Sequence, residues 1–219
     1  MFNDLKQKAR PHIPFTALNT VWRHIDKNNK TLLDVGCGKG LPFEFINRKQ
    51  KYFLVGLDAF EPYLKECKKK GIHDTYVQAD VRQLPFADNT FDSVLCLEVL
   101  EHLEKKDGEK LLDELERVAT RQVILSTPVG NYKQDIYDGN PNQEHKYIWS
   151  PTEIRGKGYK VIGVGMFKLN GKSDVQSTYP KPMRWSVSVI WVMAGPLTRV
   201  IPALAGEMVC IKRLHKSRR

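Results

Sequence analysis

At 219 residues, with 35 Lys or Arg against 25 Asp or Glu and a formal net charge of +10, the chain is long enough for one domain, 1–219, with a substantial buried core. Its four cysteines, Cys37, Cys67, Cys96 and Cys210, form no C-x-x-C pair, which argues against a disulfide scaffold and for a reducing, cytoplasmic setting. Residues 1–10 mix charged and apolar side chains and lack the apolar centre of a secretory signal.

The first strong element is Thr31-Leu-Leu-Asp-Val35, an apolar run that reads as a buried parallel strand and stops at Gly36, Gly38 and Gly40, with a helical segment beyond. Glycines there let the backbone turn sharply and come close to a ligand. Their G-x-G-x-G spacing differs from the G-x-G-x-x-G of dinucleotide folds and lacks the Gly-Lys-Ser/Thr ending of a phosphate loop. A second strand, Tyr52 to Asp58, ends in a carboxylate placed to accept hydrogen bonds from two ribose hydroxyls. A third, Thr75 to Val81, carries Asp80 near its end, where the acid can accept from an adenine amino group while the Val81 N–H reaches a ring nitrogen. The fourth, Phe91 to Leu97, runs into Glu98-Val-Leu-Glu-His-Leu103, and the fifth, Gln122 to Pro128, is stopped by its proline. A final strand covers Glu207 to Lys212.

Taken in order, Asp34-Val-Gly-Cys-Gly-Lys-Gly40, Gly56-Leu-Asp58, Ala79-Asp80-Val81 with Leu84-Pro-Phe86, and Phe91-Asp92 through Leu103 resemble the successive motifs of class I S-adenosylmethionine-dependent methyltransferases, of the type 11-like small-molecule branch. The resemblance covers roughly residues 11–166 and the last strand. It implies an α/β, Rossmann-like fold: a seven-stranded, mostly parallel sheet with helices on both faces, an antiparallel last strand and a helical insertion, 167–205, between strands six and seven. It also implies S-adenosyl-L-methionine as cofactor. The residues it assigns to that cofactor are Asp34, Gly36, Cys37, Gly38, Gly40, Asp58, Ala59, Asp80 and Val81, with backbone groups of Cys96 and Leu97 at its amino-acid end. By the same resemblance, the segment from His12 to Trp22 lies over the cofactor as a helix.

Methyl transfer from a sulfonium is an in-line displacement with an excellent leaving group, so alignment and exclusion of water are the protein's main tasks. A base is needed only where the acceptor keeps a proton at neutral pH. Glu98, Glu101 and His102 follow the fourth strand, where ligands lie in open α/β sheets, and their i, i+3, i+4 spacing predicts one side of a helical turn. His145 lies in the loop after the fifth strand, facing the same cleft. Ser150, Pro151 and Glu153 read there as a capping box, which does not account for His145. His145, His102 and Glu101 are the candidates for catalysis, as base or acceptor contact. Glu98, Glu101, His102 and His145 could instead hold a divalent metal that polarises an acceptor hydroxyl, an arrangement resembling the metal site of small-RNA 3'-terminal 2'-O-methyltransferases. A structural role for these residues is the third reading.

The charge is unevenly spread. Residues 1–156 hold 23 basic and 23 acidic side chains, whereas 157–219 hold 12 basic ones and only Asp174 and Glu207. The whole excess, including the tail 212–219, falls in the last third, which suggests an anionic partner or surface. From Val187 to Leu204 the chain is rich in large apolar residues, but Pro196, Arg199 and Pro202 interrupt what a spanning helix of about 20 residues would need. Two short helices around Gly195-Pro196 are predicted, covering an acceptor pocket that Trp149, Trp185 and Trp191 are available to line. Basic flanks would let 185–219 touch a membrane surface or a lipid-like substrate, making a cytoplasmic protein membrane-peripheral. The expected function is methyl transfer to a small, lipid-linked or sugar-linked acceptor, at oxygen. The alternative is a metal-assisted RNA 2'-O-methyltransferase, though the chain has no recognisable RNA-binding module. A non-catalytic partner protein of the same fold is a third option, opposed by the intact Gly36, Gly38, Gly40, Asp58 and Asp80.

Overall fold

The computed structural model describes residues 16–46, 52–130, 134–136, 138–165 and 195–214. In chain order the elements are α1 (Ala17–His24), β1 (Thr31–Val35), α2 (Leu41–Ile46), β2 (Phe53–Asp58), α3 (Glu61–Lys70), β3 (Thr75–Gln78), β4 (Phe91–Leu97), α4 (Lys105–Val118), β5 (Ala119–Pro128), α5 (Pro151–Gly156), β6 (Lys160–Val164) and β7 (Glu207–Arg213). The seven strands form one sheet in the order β3-β2-β1-β4-β5-β7-β6. The first five run parallel, and β7 is antiparallel to both β5 and β6.

Parallel strands covered on both faces need apolar side chains on both, which is why they read as continuous runs. In β4, Val94 and Cys96 enter one core with Leu111, Leu112 and Leu115 of α4. Leu95 between them points to the other face, with Val21 of α1 and Ile25 at its C-terminal cap. The described part of the expected cofactor-covering helix is α1, and those two residues anchor it on the sheet.

Two strand limits differ from expectation by three residues. β3 ends at Gln78, because Asp80 starts a turn: its carboxylate accepts from the Arg82 N–H at 2.9 Å and its C=O from the Gln83 N–H at 3.2 Å. β5 starts at Ala119, three residues early, directly after α4. Its polar start survives burial because each group is bonded: Thr120 Oγ1 donates to the Phe91 C=O, and the Gln122 amide to the His24 C=O.

Of the expected insertion 167–205, the described end is helical at 195–200 and continues as a tight turn at Pro202–Leu204. It lies directly on β6, where a Cβ at Gly163 would stand 2.1 Å from the Thr198 carbonyl oxygen. Trp185, Trp191 and the tail beyond residue 214 lie outside the described residues. Among the described residues no helix is long and apolar enough to cross a membrane.

Candidate active site

The carboxyl ends of β1, β2 and β4 open onto a cleft of about 200 Å³. Its floor is the glycine turn, where Gly36, Gly38 and Gly40 have φ of 72°, 52° and 80°. Gly36 and Gly40 are also required by packing, since a Cβ on the first would stand 2.3 Å from Val99 Cγ2 and on the second 2.7 Å from Cys67 Sγ. Gly38 differs: a Cβ there would meet nothing within 4 Å, and the residue lines the cleft. Bare backbone at that point is a cradle that a side chain would fill. The turn is fastened to β2 by the Gly36 and Cys37 N–H groups, both donating to the Leu57 C=O, at 2.7 and 2.9 Å.

Asp58, at the tip of β2, accepts from the Gly38 N–H and the Phe60 N–H, both at 2.8 Å, one on each oxygen. Asp58 and Ala59 line the cleft. Burial raises the Asp58 carboxyl above its ordinary value, while these N–H bonds pull it back. Asp80 and Val81 line the same cleft. The Asp80 carboxylate is held by Arg82, which also reaches Asp107 at 3.2 Å. That contact pulls the Asp80 pKa below its ordinary value.

Other cofactor candidates stand elsewhere. Asp34 is buried with its carboxylate on the His73 ring, and the Cys37 side chain is buried beside Cys67 and His73. Cys96 and Leu97 lie inside β4, paired with Leu125 and Ser126, and the cleft lining resumes at Glu98.

On the opposite wall stand Glu98, His102, Asn140, Gln143 and Lys146. The expected helical turn from Glu98 to His102 does not form. Glu98 is left-handed, with φ 55°, and only Leu100–His102 make a tight 3-10 turn. Strain of this kind in a residue with a Cβ is held by its surroundings. The Glu98 N–H donates to the Ser126 C=O at 3.1 Å, and its carboxylate accepts from Ser126 Oγ at 2.7 Å and from Glu207. Burial first, and then the Glu98 charge, push the Glu207 carboxyl well above its ordinary value.

Glu101 is buried, its carboxylate taking the Thr127 hydroxyl at 3.0 Å and its C=O the N–H groups of Lys146 and Tyr147. It thereby clamps the loop that carries His145. His102 places Nδ1 3.1 Å from the Glu144 carbonyl oxygen, which can only accept, so the proton sits on Nδ1. Burial holds both His102 and His145 below the ordinary imidazole range, so both are neutral at pH 7. Their ring centroids are 5.0 Å apart. Glu101, His102 and His145 bring one donor atom each within 4.8 Å of one another, a group that Glu98 does not join.

Trp149 does not line this cleft. It is 1% exposed, donates Nε1–H to the Leu100 C=O at 3.3 Å and fills space left by Gly108, where a Cβ would stand 2.6 Å from its ring. The capping box at Ser150 and Glu153 forms as expected. Ser126, Glu207, Arg82 and Lys146 were not singled out from the sequence. Arg82 and Lys146 line the cleft from positions two after Asp80 and one after His145, whereas Ser126 and Glu207 bond Glu98, where sheet order rather than spacing brings them.

A family model described as a methyltransferase domain matches residues 33–126. The sterol 24-C-methyltransferase erg-4 of Neurospora crassa is 27% identical over 212 residues, covering 88% of this chain and 52% of its own. A ubiquinone biosynthesis O-methyltransferase of Rickettsia conorii is 32% identical over 146 residues, covering 59% of this chain and 49% of its own. The chain spans about half the length of these curated relatives. Magnesium protoporphyrin IX methyltransferase from Synechocystis PCC 6803, solved with bound S-adenosylmethionine, superposes with a TM-score of 0.55 at 16% identity, over 95% of this chain and 82% of its own. The matched domain and the fold agree: residues 33–126 match a methyltransferase domain, within a sheet that shares its fold with a solved S-adenosylmethionine-binding methyltransferase.

Proposed function

We propose that this protein moves a methyl group from S-adenosylmethionine to an oxygen of a small, lipid-linked or sugar-linked acceptor. The observation that carries the reading is the cleft itself, which joins the glycine cradle and Asp58 on one side to Glu98 and His102 on the other. When bound, the cofactor supplies an activated methyl on a neutral leaving group. Gly38 lets it approach the backbone, and the Asp58 carboxylate takes its ribose hydroxyls. The Asp80 acid, already tied to Arg82, is set to face its adenine. His102 Nε2 accepts the proton of the acceptor hydroxyl, with His145 beside it, and Glu98 carries the negative charge that favours the resulting imidazolium. The names of the two curated relatives, a sterol and a ubiquinone-pathway methyltransferase, support an apolar acceptor.

The grouping of Glu101, His102 and His145 favours a second reading, metal-assisted methylation of an RNA 2'-hydroxyl. Titration with S-adenosylhomocysteine by calorimetry tests the shared half: no heat and no thermal shift at millimolar ligand would sink both readings. Methyl transfer from labelled cofactor to quinol and sterol acceptors, against RNA with and without chelator, separates them. Transfer that survives chelation and ignores RNA supports the first.

A further inference from the structure

Behind the glycine turn, away from the acceptor wall, lies a second polar cluster. Cys37 Sγ, Cys67 Sγ and a ring nitrogen of His73 all fall within 4.8 Å of one another, and all three residues are buried. They come from three segments: the turn after β1, helix α3 and the loop entering β3. The imidazole has a fixed orientation. Nε2 is 2.9 Å from Asp34 Oδ2, and Nδ1 is 3.3 Å from Cys67 Sγ. With the Nε2 proton on the carboxylate, the Nδ1 lone pair faces the sulfurs. A carboxylate that fixes one ring nitrogen so that the other can bind is the usual support of a metal-ligating histidine.

Two glycines clear this space. A Cβ at Gly40 would stand 2.7 Å from Cys67 Sγ, and one at Gly56 would stand 3.1 Å from Cys37 Sγ and 2.9 Å from the His73 ring. Filling a gap between helix and sheet with thiols alone would require no imidazole, and burying Asp34 with His73 strips both of hydration. Cys96 and Cys210 are the contrast, sitting within apolar core.

We propose that Cys37, Cys67 and His73 bind a thiophilic cation, zinc(II) or copper(I), with Asp34 orienting His73. Two thiols release their protons to solvent as they bind, and the cation compensates the two thiolates. Three protein donors complete a trigonal set for copper(I), or leave one position open in a tetrahedral set for zinc(II). Bound there, the cation ties α3 and the β3 approach to the turn that carries Gly36, Gly38 and Gly40.

The test uses the full chain, reduced with a non-chelating reductant and titrated separately with zinc(II) and copper(I) against a chromophoric chelator. One cation per chain is expected, with binding lost in Cys67→Ala, weakened about 10–100-fold in Asp34→Asn and unchanged in Cys210→Ala. X-ray absorption at the edge of the bound metal needs no variant, and it should show two sulfur neighbours, at about 2.3 Å for zinc. Failure to take up either cation, uptake that a folded Cys67→Ala retains, or a metal edge without sulfur neighbours would overturn the proposal.

Discussion

The Asp58 carboxylate accepts the Gly38 N–H at 2.8 Å, so the acid at the end of β2 holds in place the one residue of the turn whose missing side chain opens onto the cleft. The pairing joins residues twenty apart, after β1 and at the tip of β2, and sets the height of the turn that floors the cleft. Asp58→Ala should weaken S-adenosylhomocysteine binding by at least about tenfold, through loss of charge-assisted bonds worth roughly 1.5–3 kcal/mol each. Calorimetry would detect the change, and an unaltered dissociation constant would remove Asp58 from the cofactor site.

Gly38 and Gly36 should respond differently to alanine. Gly38→Ala has room for its Cβ and incurs only the left-handed backbone penalty of about 1–2 kcal/mol, so it should fold and bind cofactor poorly. Gly36→Ala drives a Cβ into Val99 and should lose several degrees more in melting temperature. Thermal melts with and without S-adenosylhomocysteine separate a cradle defect from a packing defect.

If His102 is the base, transfer should follow its deprotonation. Burial puts its pKa below the ordinary 6.5, so activity should be flat at neutral pH and fall only under more acid conditions. His102→Gln should abolish that acid limb and lower kcat by about 10²–10⁴-fold. A rate profile that keeps its acid limb in the variant would assign the proton transfer elsewhere.

Glu153 caps α5 and accepts from Lys105 at 2.8 Å and the Tyr147 hydroxyl at 2.7 Å. The Lys105 contact, the Ser150 N–H and Tyr147 hold its pKa at about 2. A carboxylate depressed in the folded state contributes stability above its unfolded pKa of 4.5 and loses it as pH falls from there toward 2. Glu153→Ala should therefore cost on the order of 1–2 kcal/mol at pH 7 and almost nothing at pH 2. Denaturant midpoints at the two pH values check the sign.

Arg117 donates to both oxygens of Glu114 and to the carbonyls of Leu84 and Phe86, fixing the loop that passes beneath the cleft wall. Arg117→Ala should cost about 1–3 kcal/mol, more than truncating an exposed ion pair, because it takes a donor from the Phe86 carbonyl and leaves the Leu84 carbonyl with the Phe86 N–H alone. Urea denaturation gives the value directly.

Most of the sheet is legible in the sequence because strands buried on both faces leave uninterrupted apolar runs, and the turn at Gly36 to Gly40 is legible because its backbone requirement is local. Strand limits are less so: Ala119 to Arg121 carry no apolar run, and their polar groups are satisfied by distant partners that spacing does not reveal. The same holds within the site. Asp34 looks like a cleft residue by position, yet His73, 39 residues later, claims its carboxylate. Glu98 looks like the first residue of a helical turn, yet Ser126 and Glu207 hold it in a left-handed bend. Such pairings follow from which strands are neighbours, and β7 becomes the neighbour of β5 only once the whole sheet is ordered.

That ordering bears on how the molecule is made. β1 to β5 can join the sheet as they leave the ribosome, but β6 has no place beside β5 until β7, more than forty residues later, inserts between them. Synthesis therefore passes through a stage with the glycine cradle assembled, the β5 edge bare and Glu98 still without Glu207. A nascent chain stalled in that interval would be able to grip cofactor before it could position an acceptor.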